Sequence, residues 1–165
     1  MISSRSSMNI RNLITKSGKQ MTPPDAKIFP VIEYRLQFDG CSKSNPGLAG
    51  AGAVLYHLNE EIHTMSHFVG ENMTNNVAEY TGLIIGLKEA LQRNIRMLMV
   101  EGDSLLVVNQ MNGVYKVKAL NLIPLYEEAK KLAEQFDTIS FHHIYREKNK
   151  RADALSNLAL TFKEE

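Results

Sequence analysis

Four acidic residues stand where a carboxylate does more than solubilise a surface. Asp39 closes an alternating strand and enters the run Phe-Asp-Gly-Cys-Ser-Lys-Ser-Asn-Pro-Gly. Glu79 lies one turn into a helix, in Thr-Asn-Asn-Val-Ala-Glu-Tyr. Asp103 ends an apolar strand, in Glu-Gly-Asp-Ser, and Asp153 opens the last helix, in Arg-Ala-Asp-Ala-Leu-Ser-Asn. Strand ends and helix starts can meet on one edge of a sheet, where clustered carboxylates repel unless a cation neutralises them. Hard oxygen ligands select Mg²⁺ or Mn²⁺. Singly, each acid has an ordinary use: helix-dipole partner for Asp153, turn residue for Asp39 and Asp103, helix surface for Glu79. The set is what points to metal chemistry. Glu101, two residues before Asp103 and so on the same strand face, reads as a peripheral strand-end acid.

Other chemistries fit less well. His63 and His67 share a strand face but sit about 13 Å apart at strand rise, and His142 and His143 point to opposite faces. Neither pair makes a zinc site. Cys41 has no base partner in its surroundings, so it reads as a small loop residue rather than a nucleophile. The loop after Asp39 lacks the Gly-Lys-Ser/Thr ending of a phosphate-binding loop.

The elements that must position the acids follow from periodicity. Tyr34, Leu36 and Phe38 alternate with polar residues, which predicts a strand. Gly40 to Gly52 reads as a loop. Ala53–His57 and Ile62–Val69 read as a hairpin. Thr74-Asn75-Asn76 offers N-cap chemistry for a helix running to about Arg93. Ile95–Val100 is apolar but for Arg96, as in a central strand covered on both faces. Ser104–Met111 and Ala119–Phe136 read as helices, with Pro124 tolerable only near a helix start. Thr138–Tyr145 reads as a fifth strand and Arg151–Phe162 as a C-terminal helix. The order β-β-β-α-β-α-α-β-α predicts an α/β fold: a five-stranded mixed sheet, three antiparallel strands then parallel ones, flanked by helices.

With these motifs in this order, residues from about Tyr34 to Leu160 resemble the type 1 ribonuclease H family. The resemblance implies the ribonuclease H-like fold and cleavage of the RNA strand of RNA–DNA hybrids with two Mg²⁺ (or Mn²⁺) ions. It implies that Asp39 bridges both metals, Glu79 and Asp103 share one, and Asp153 completes the other. Readings kept alongside are a catalytically weak nucleic-acid-binding module of the same fold, and a nuclease of that fold acting on double-stranded RNA.

The segment before Asp153 is short and lacks the His-containing loop of many family members. It looks like the variety found in archaea, plants and some bacteria, where an Arg seven residues before the last Asp takes the histidine's place. That Arg is Arg146. Its pKa above ~12 rules out a base, leaving a role in holding the scissile phosphate or aiding product departure, or that of a phosphate-facing surface Arg. The longer basic protrusion of some members is missing, and only Lys116 and Lys118 stand in that region. There is no Trp to pack beneath such a handle, and Leu105 replaces a residue that is often polar. By resemblance, Gly40, Cys41, Asn45, Asn75 and Asn76 are candidates for reading 2′-OH groups or base edges, and Thr74 for a DNA phosphate. The competing readings are turn former for Asn45 and helix cap for Asn75 and Asn76.

Composition bounds the rest. At 165 residues and 44% hydrophobic content the chain suits one domain, with a core in a body of residues 31–165. No run reaches the ~18–20 apolar residues of a membrane span. A single cysteine, Cys41, excludes an internal disulfide framework. Residues 1–30 carry five basic residues and one acid, a net +4, while residues 31–165 carry 14 basic and 17 acidic residues, a net −3. The Ser-, Arg- and Lys-rich start reads as a disordered basic tail. The same composition is that of a mitochondrial or plastid transit peptide. Intracellular, cytoplasmic residence and a monomeric state are the default expectations. Counting the four motif acids as metal ligands turns the body's −3 into +1, which suits a nucleic-acid partner better.

Overall fold

The period-2 pattern that begins at Tyr34 carries further than its alternation suggests. The computed structural model describes residues 31–164; the expectations for the basic tail lie outside the described residues. Strand β1 spans Tyr34–Ser42, β2 Gly47–His57 and β3 Glu60–Met73. Helix α1 (Asn75–Gln92) leads to β4 (Met97–Gly102), α2 (Leu105–Met111), α3 (Ile123–Ala133) and β5 (Thr138–His143). A short 3₁₀ turn, Arg146–Lys148, precedes α4 (Lys150–Leu158), which tightens into 3₁₀ turns over Ala159–Glu164. The sheet order is β3-β2-β1-β4-β5. β1, β2 and β3 pair antiparallel, and β4 pairs parallel with both β1 and β5. The expected five-stranded mixed sheet is the one observed. Among the described residues no helix is long and apolar enough to cross a membrane.

The sequence expectation fails at Gly40–Gly52. Only residues 43–46 form a connection there; the rest is strand, with Asp39 inside β1 rather than at its end. The glycines serve close packing instead of turns. A Cβ on Gly40 would stand 2.2 Å from backbone atoms of Ala78 and Glu79, so α1 lies directly on β1. Cβ atoms on Gly50 and Gly52 would stand 2.2 Å and 2.5 Å from the carbonyl oxygens of Ser156 and Ala152, so α4 lies directly on β2. Gly52 is in register with Asp39 and Gly40 is its chain neighbour, so α1 and α4 cover opposite faces of the sheet.

Two smaller corrections concern helix ends. α3 starts at Ile123 rather than Ala119, because Pro124 has no N–H and belongs in a first turn. The last α-helix ends at Leu158, four residues short of the expected Phe162.

The larger core lies between the sheet and α1. Leu36, Phe38, Leu55, Leu98 and Val100 from the strands meet Tyr80, Leu83 and Leu87 of α1, all essentially buried. Val54, Ala152 and Leu155 form a smaller cluster under α4. α1 is thereby held by its first turn against the C-terminal half of β1, and α4 against the stretch of β2 paired with it, on either side of Asp39.

Candidate active site

Each acid is placed by a different local device. Asp39 is set by the β1 ladder, between β2 on one side and the end of β4 on the other. Glu79 is one turn into α1, whose start is fixed by Thr74: its hydroxyl accepts the Val77 N–H at 3.2 Å. Such a cap stabilises a helix by about 1 kcal/mol. Asp103 precedes Ser104, which caps α2 by accepting from Val107 N at 3.2 Å. Asp153 sits in the first turn of α4, and the Asn157 amide donates to its Oδ1 at 3.3 Å and to its carbonyl at 3.0 Å.

These devices converge. One carboxylate oxygen each from Asp39, Glu79 and Asp103 lie within 4.8 Å of one another. Asp153 joins them from α4 in an open cleft of about 410 Å³. The cleft is also lined by Gly40, Cys41, Asn75 and Arg146. Asp39 and Glu79 are buried, at 5% and 8% exposure, although neither faces a cation among the described residues. Burial first, and the Asp103 charge second, push the Asp39 carboxyl up to about 8. A hydrogen bond with Glu79 and one from the Gly40 backbone offset this in part, while Asp153 adds to it. Burial, then the charges of Asp39 and Asp103, hold Glu79 well above the usual carboxylate range. Glu79 Oε2 is buried with no hydrogen-bond partner.

That donor set fits a hard divalent cation. The repulsion that adds to burial in raising both pKa values, and the orphaned Glu79 oxygen, would both be relieved by one. The softer donors at the cleft, the half-buried Cys41 and the exposed His143, stand outside the carboxylate cluster.

The remaining sequence candidates fall into two groups. Asn75 lines the cleft, and its Oδ1 accepts the Ser42 N–H at 2.6 Å while its own N–H donates to Asn45 Oδ1 at 2.9 Å. The two amides brace the β1–β2 turn against the start of α1. Thr74 caps α1, and Asn76 is half-buried in its first turn. Lys116 lines a separate groove between the α2–α3 connection and α3, with Val114, Tyr115 and Tyr126, and Lys118 is exposed nearby in sequence. Glu101 turns to Arg35 (2.9 Å) and Gln37 (3.0 Å), the peripheral role expected of it.

Sequence reasoning missed Lys43, His143, Tyr145 and Asn157, which also line the cleft. Asn157 was within reach, since it is four residues after Asp153 on a helix and so shares its face. Lys43 Nζ in turn donates to Asn157 Oδ1 at 3.3 Å. His143 and Tyr145, in edge-to-face contact at 5.9 Å, had no signal beyond their place at the end of β5.

Comparisons with known proteins agree with this geometry. The reverse transcriptase-like family matches residues 37–159. A bifunctional protein of Mycobacterium tuberculosis is 42% identical over 127 residues, 76% of this chain and 35% of its own length. Ribonuclease HI of Halobacterium salinarum is 37% identical over 123 residues, 74% of this chain and 62% of its own length. The chain thus spans between about a third and three-fifths of these relatives. The crystal structure of the Halobacterium RNase H1 superposes with a TM-score of 0.74 at 35% identity, covering 78% of this chain and 98% of that one. LC11-RNase H1 in complex with an RNA/DNA hybrid superposes with a TM-score of 0.74 at 37% identity, covering 80% and 99%.

Proposed function

The chain belongs to the type 1 ribonuclease H family, and from that premise we propose that it is an endoribonuclease hydrolysing the RNA strand of RNA–DNA hybrids. The observation that carries the reading is the meeting of Asp39, Glu79 and Asp103 within 4.8 Å, with Asp153 and Arg146 in the same cleft. The hybrid bound to the similar LC11 enzyme supports the choice of substrate.

Two Mg²⁺ ions, with Mn²⁺ as substitute, are the cofactors proposed. When bound, such cations activate water and stabilise the leaving 3′-oxygen. Asp39 interacts with Glu79, Asp103 and Asp153 alike, so its carboxylate would help to hold both ions. Asn157 orients the Asp153 carboxylate through its amide. Arg146, exposed at the cleft, holds the scissile phosphate; a guanidinium cannot take up a proton. Gly40 and Asn75 lie beside the acids, where small or amide groups meet 2′-OH groups across a shallow minor groove.

The test is a substrate panel: matched RNA–DNA hybrid, double-stranded RNA and double-stranded DNA, each with Mg²⁺, Mn²⁺ or EDTA. Metal-dependent cleavage of the hybrid's RNA strand is expected. Cleavage confined to double-stranded RNA would assign the site to that substrate. Hybrid binding with no cleavage in either metal would leave a binding module.

A further inference from the structure

Asn149 is a large polar residue with no exposed surface, and it belongs to no sequence motif used above. It immediately precedes α4, where an Asn ordinarily caps the helix with its side chain; here no side-chain cap bond is made. Its Nδ2 instead donates to the Phe38 carbonyl at 2.9 Å. A carbonyl can only accept, so the amide must present its nitrogen there. Its Oδ1 is buried without a partner. A side chain serving packing alone at such a site would be apolar, because half of this amide's capacity goes unused.

The partner is telling. Phe38 immediately precedes Asp39 and is the last β1 residue in register with β4, opposite Gly102. Beyond it the strands part and the cleft opens. The backbone of Asn149 reaches two other cleft residues: its carbonyl accepts the Asp153 N–H at 3.0 Å, and its N–H donates to the Arg146 carbonyl at 3.0 Å.

We infer that Asn149 is a positioning residue that ties the β1 backbone at Asp39 to the turn and helix carrying Arg146 and Asp153, and so sets the spacing of the metal-binding acids. The inference rests on the proposed function for its catalytic meaning, though not for its effect on metal binding. Outer groups that orient metal ligands are typically worth about 10–100-fold in affinity or activity.

The experiment titrates Mn²⁺ into the full chain by electron paramagnetic resonance, well below each variant's melting temperature, and measures kcat and KM on the hybrid. Asn149→Leu keeps the branched shape at a somewhat larger volume and removes the donor. Its Mn²⁺ dissociation constant should rise at least about tenfold, and kcat should fall with KM within about twofold. Phe136→Leu, buried beside the starts of β4 and β5 at the far end of the sheet, serves as the control for lost stability. Its Mn²⁺ affinity should stay within about twofold of wild type. Unchanged affinity in Asn149→Leu, or an equal loss in Phe136→Leu, overturns the inference. If Asn149→Leu fails to fold, Asn149→Ser, too short to reach Phe38, should show the same loss, and an unchanged affinity there overturns it equally. A wild-type chain that binds Mn²⁺ and does not cleave the hybrid overturns the proposed function, while the Mn²⁺ comparison still decides the role of Asn149.

Discussion

The carbonyl oxygen of Asp39 lies 2.6 Å from where a Cβ on Gly82 would stand. α1 therefore runs against β1 with no room for a methyl group, and that contact holds Glu79 beside Asp39. Gly40 makes the same demand from the strand side.

Gly40→Ala and Gly82→Ala should each force α1 off the strand. A destabilisation of about 1–3 kcal/mol is expected for such overpacking, together with weaker Mn²⁺ binding, because Glu79 moves with the helix. Gly113→Ala is the contrast: its φ of +75° strains an alanine, but nothing lies within 4 Å. It should cost about 1–2 kcal/mol and leave Mn²⁺ affinity unchanged. Thermal melts and metal titration of the three variants check this. Equal metal affinity across all three would separate the close contact from the site.

Asp39→Asn and Asp103→Asn should abolish metal-dependent hybrid cleavage, by on the order of a thousandfold or about 4 kcal/mol of transition-state stabilisation, with the fold intact. Turnover near wild type in either purified variant would refute the assignment.

The raised carboxyl of Asp39 also has a stability consequence without metal. The native state keeps a proton, up to about pH 8, that the unfolded chain releases above its ordinary 3.8. Metal-free stability should therefore fall as pH rises through that window and level off above it. Asp39→Asn does not titrate there. In EDTA its melting temperature should exceed that of wild type at pH 8, by a margin that narrows toward pH 5. A margin that does not change with pH would argue against an uncompensated Asp39.

Arg146→Ala should weaken hybrid binding and reduce the slope of log affinity against log salt by about 0.9, the share of one phosphate contact. Arg146→Lys should recover the slope but not all of the affinity, since a point charge lacks the guanidinium's fork. Salt titrations by fluorescence anisotropy with metal withheld give both numbers. An unaltered slope in Arg146→Ala would place this residue away from the phosphates.

Deleting residues 1–27 should weaken hybrid binding at low salt, through the loss of the net +4 carried by residues 1–30, without changing the metal requirement. Equal low-salt affinity with and without the segment would assign it to targeting or to no role in binding.

Much of the site was legible because each acid sits in a context that says where it falls on its element. Asp103 follows an apolar run and Asp153 opens a helix, and both stand as read. Asp39 was read as the end of β1, which in fact runs on to Ser42. The glycines around it look like a loop, whereas Gly40, Gly50 and Gly52 are buried strand residues whose missing side chains admit α1 and α4. A turn glycine and a close-contact glycine are the same letter, and only the partner across the contact tells them apart. Asn149 was invisible for the same reason, since its partner Phe38 lies far away in the chain.

By itself, the sequence determined which residues can bind a hard cation and which elements carry them, because periodicity and capping record local burial and local hydrogen bonding. The tertiary structure alone decided that they meet. The order β3-β2-β1-β4-β5 sets β1 beside β4, bringing Asp39 to Asp103, and the glycine contacts bring Glu79 and Asp153 in from opposite faces. Strand neighbours and helix approach are non-local choices, settled by which faces bury against which. The same burial drives the carboxyls of Asp39 and Glu79 above their ordinary range, so the cation affinity proposed for the site would be a property of the fold.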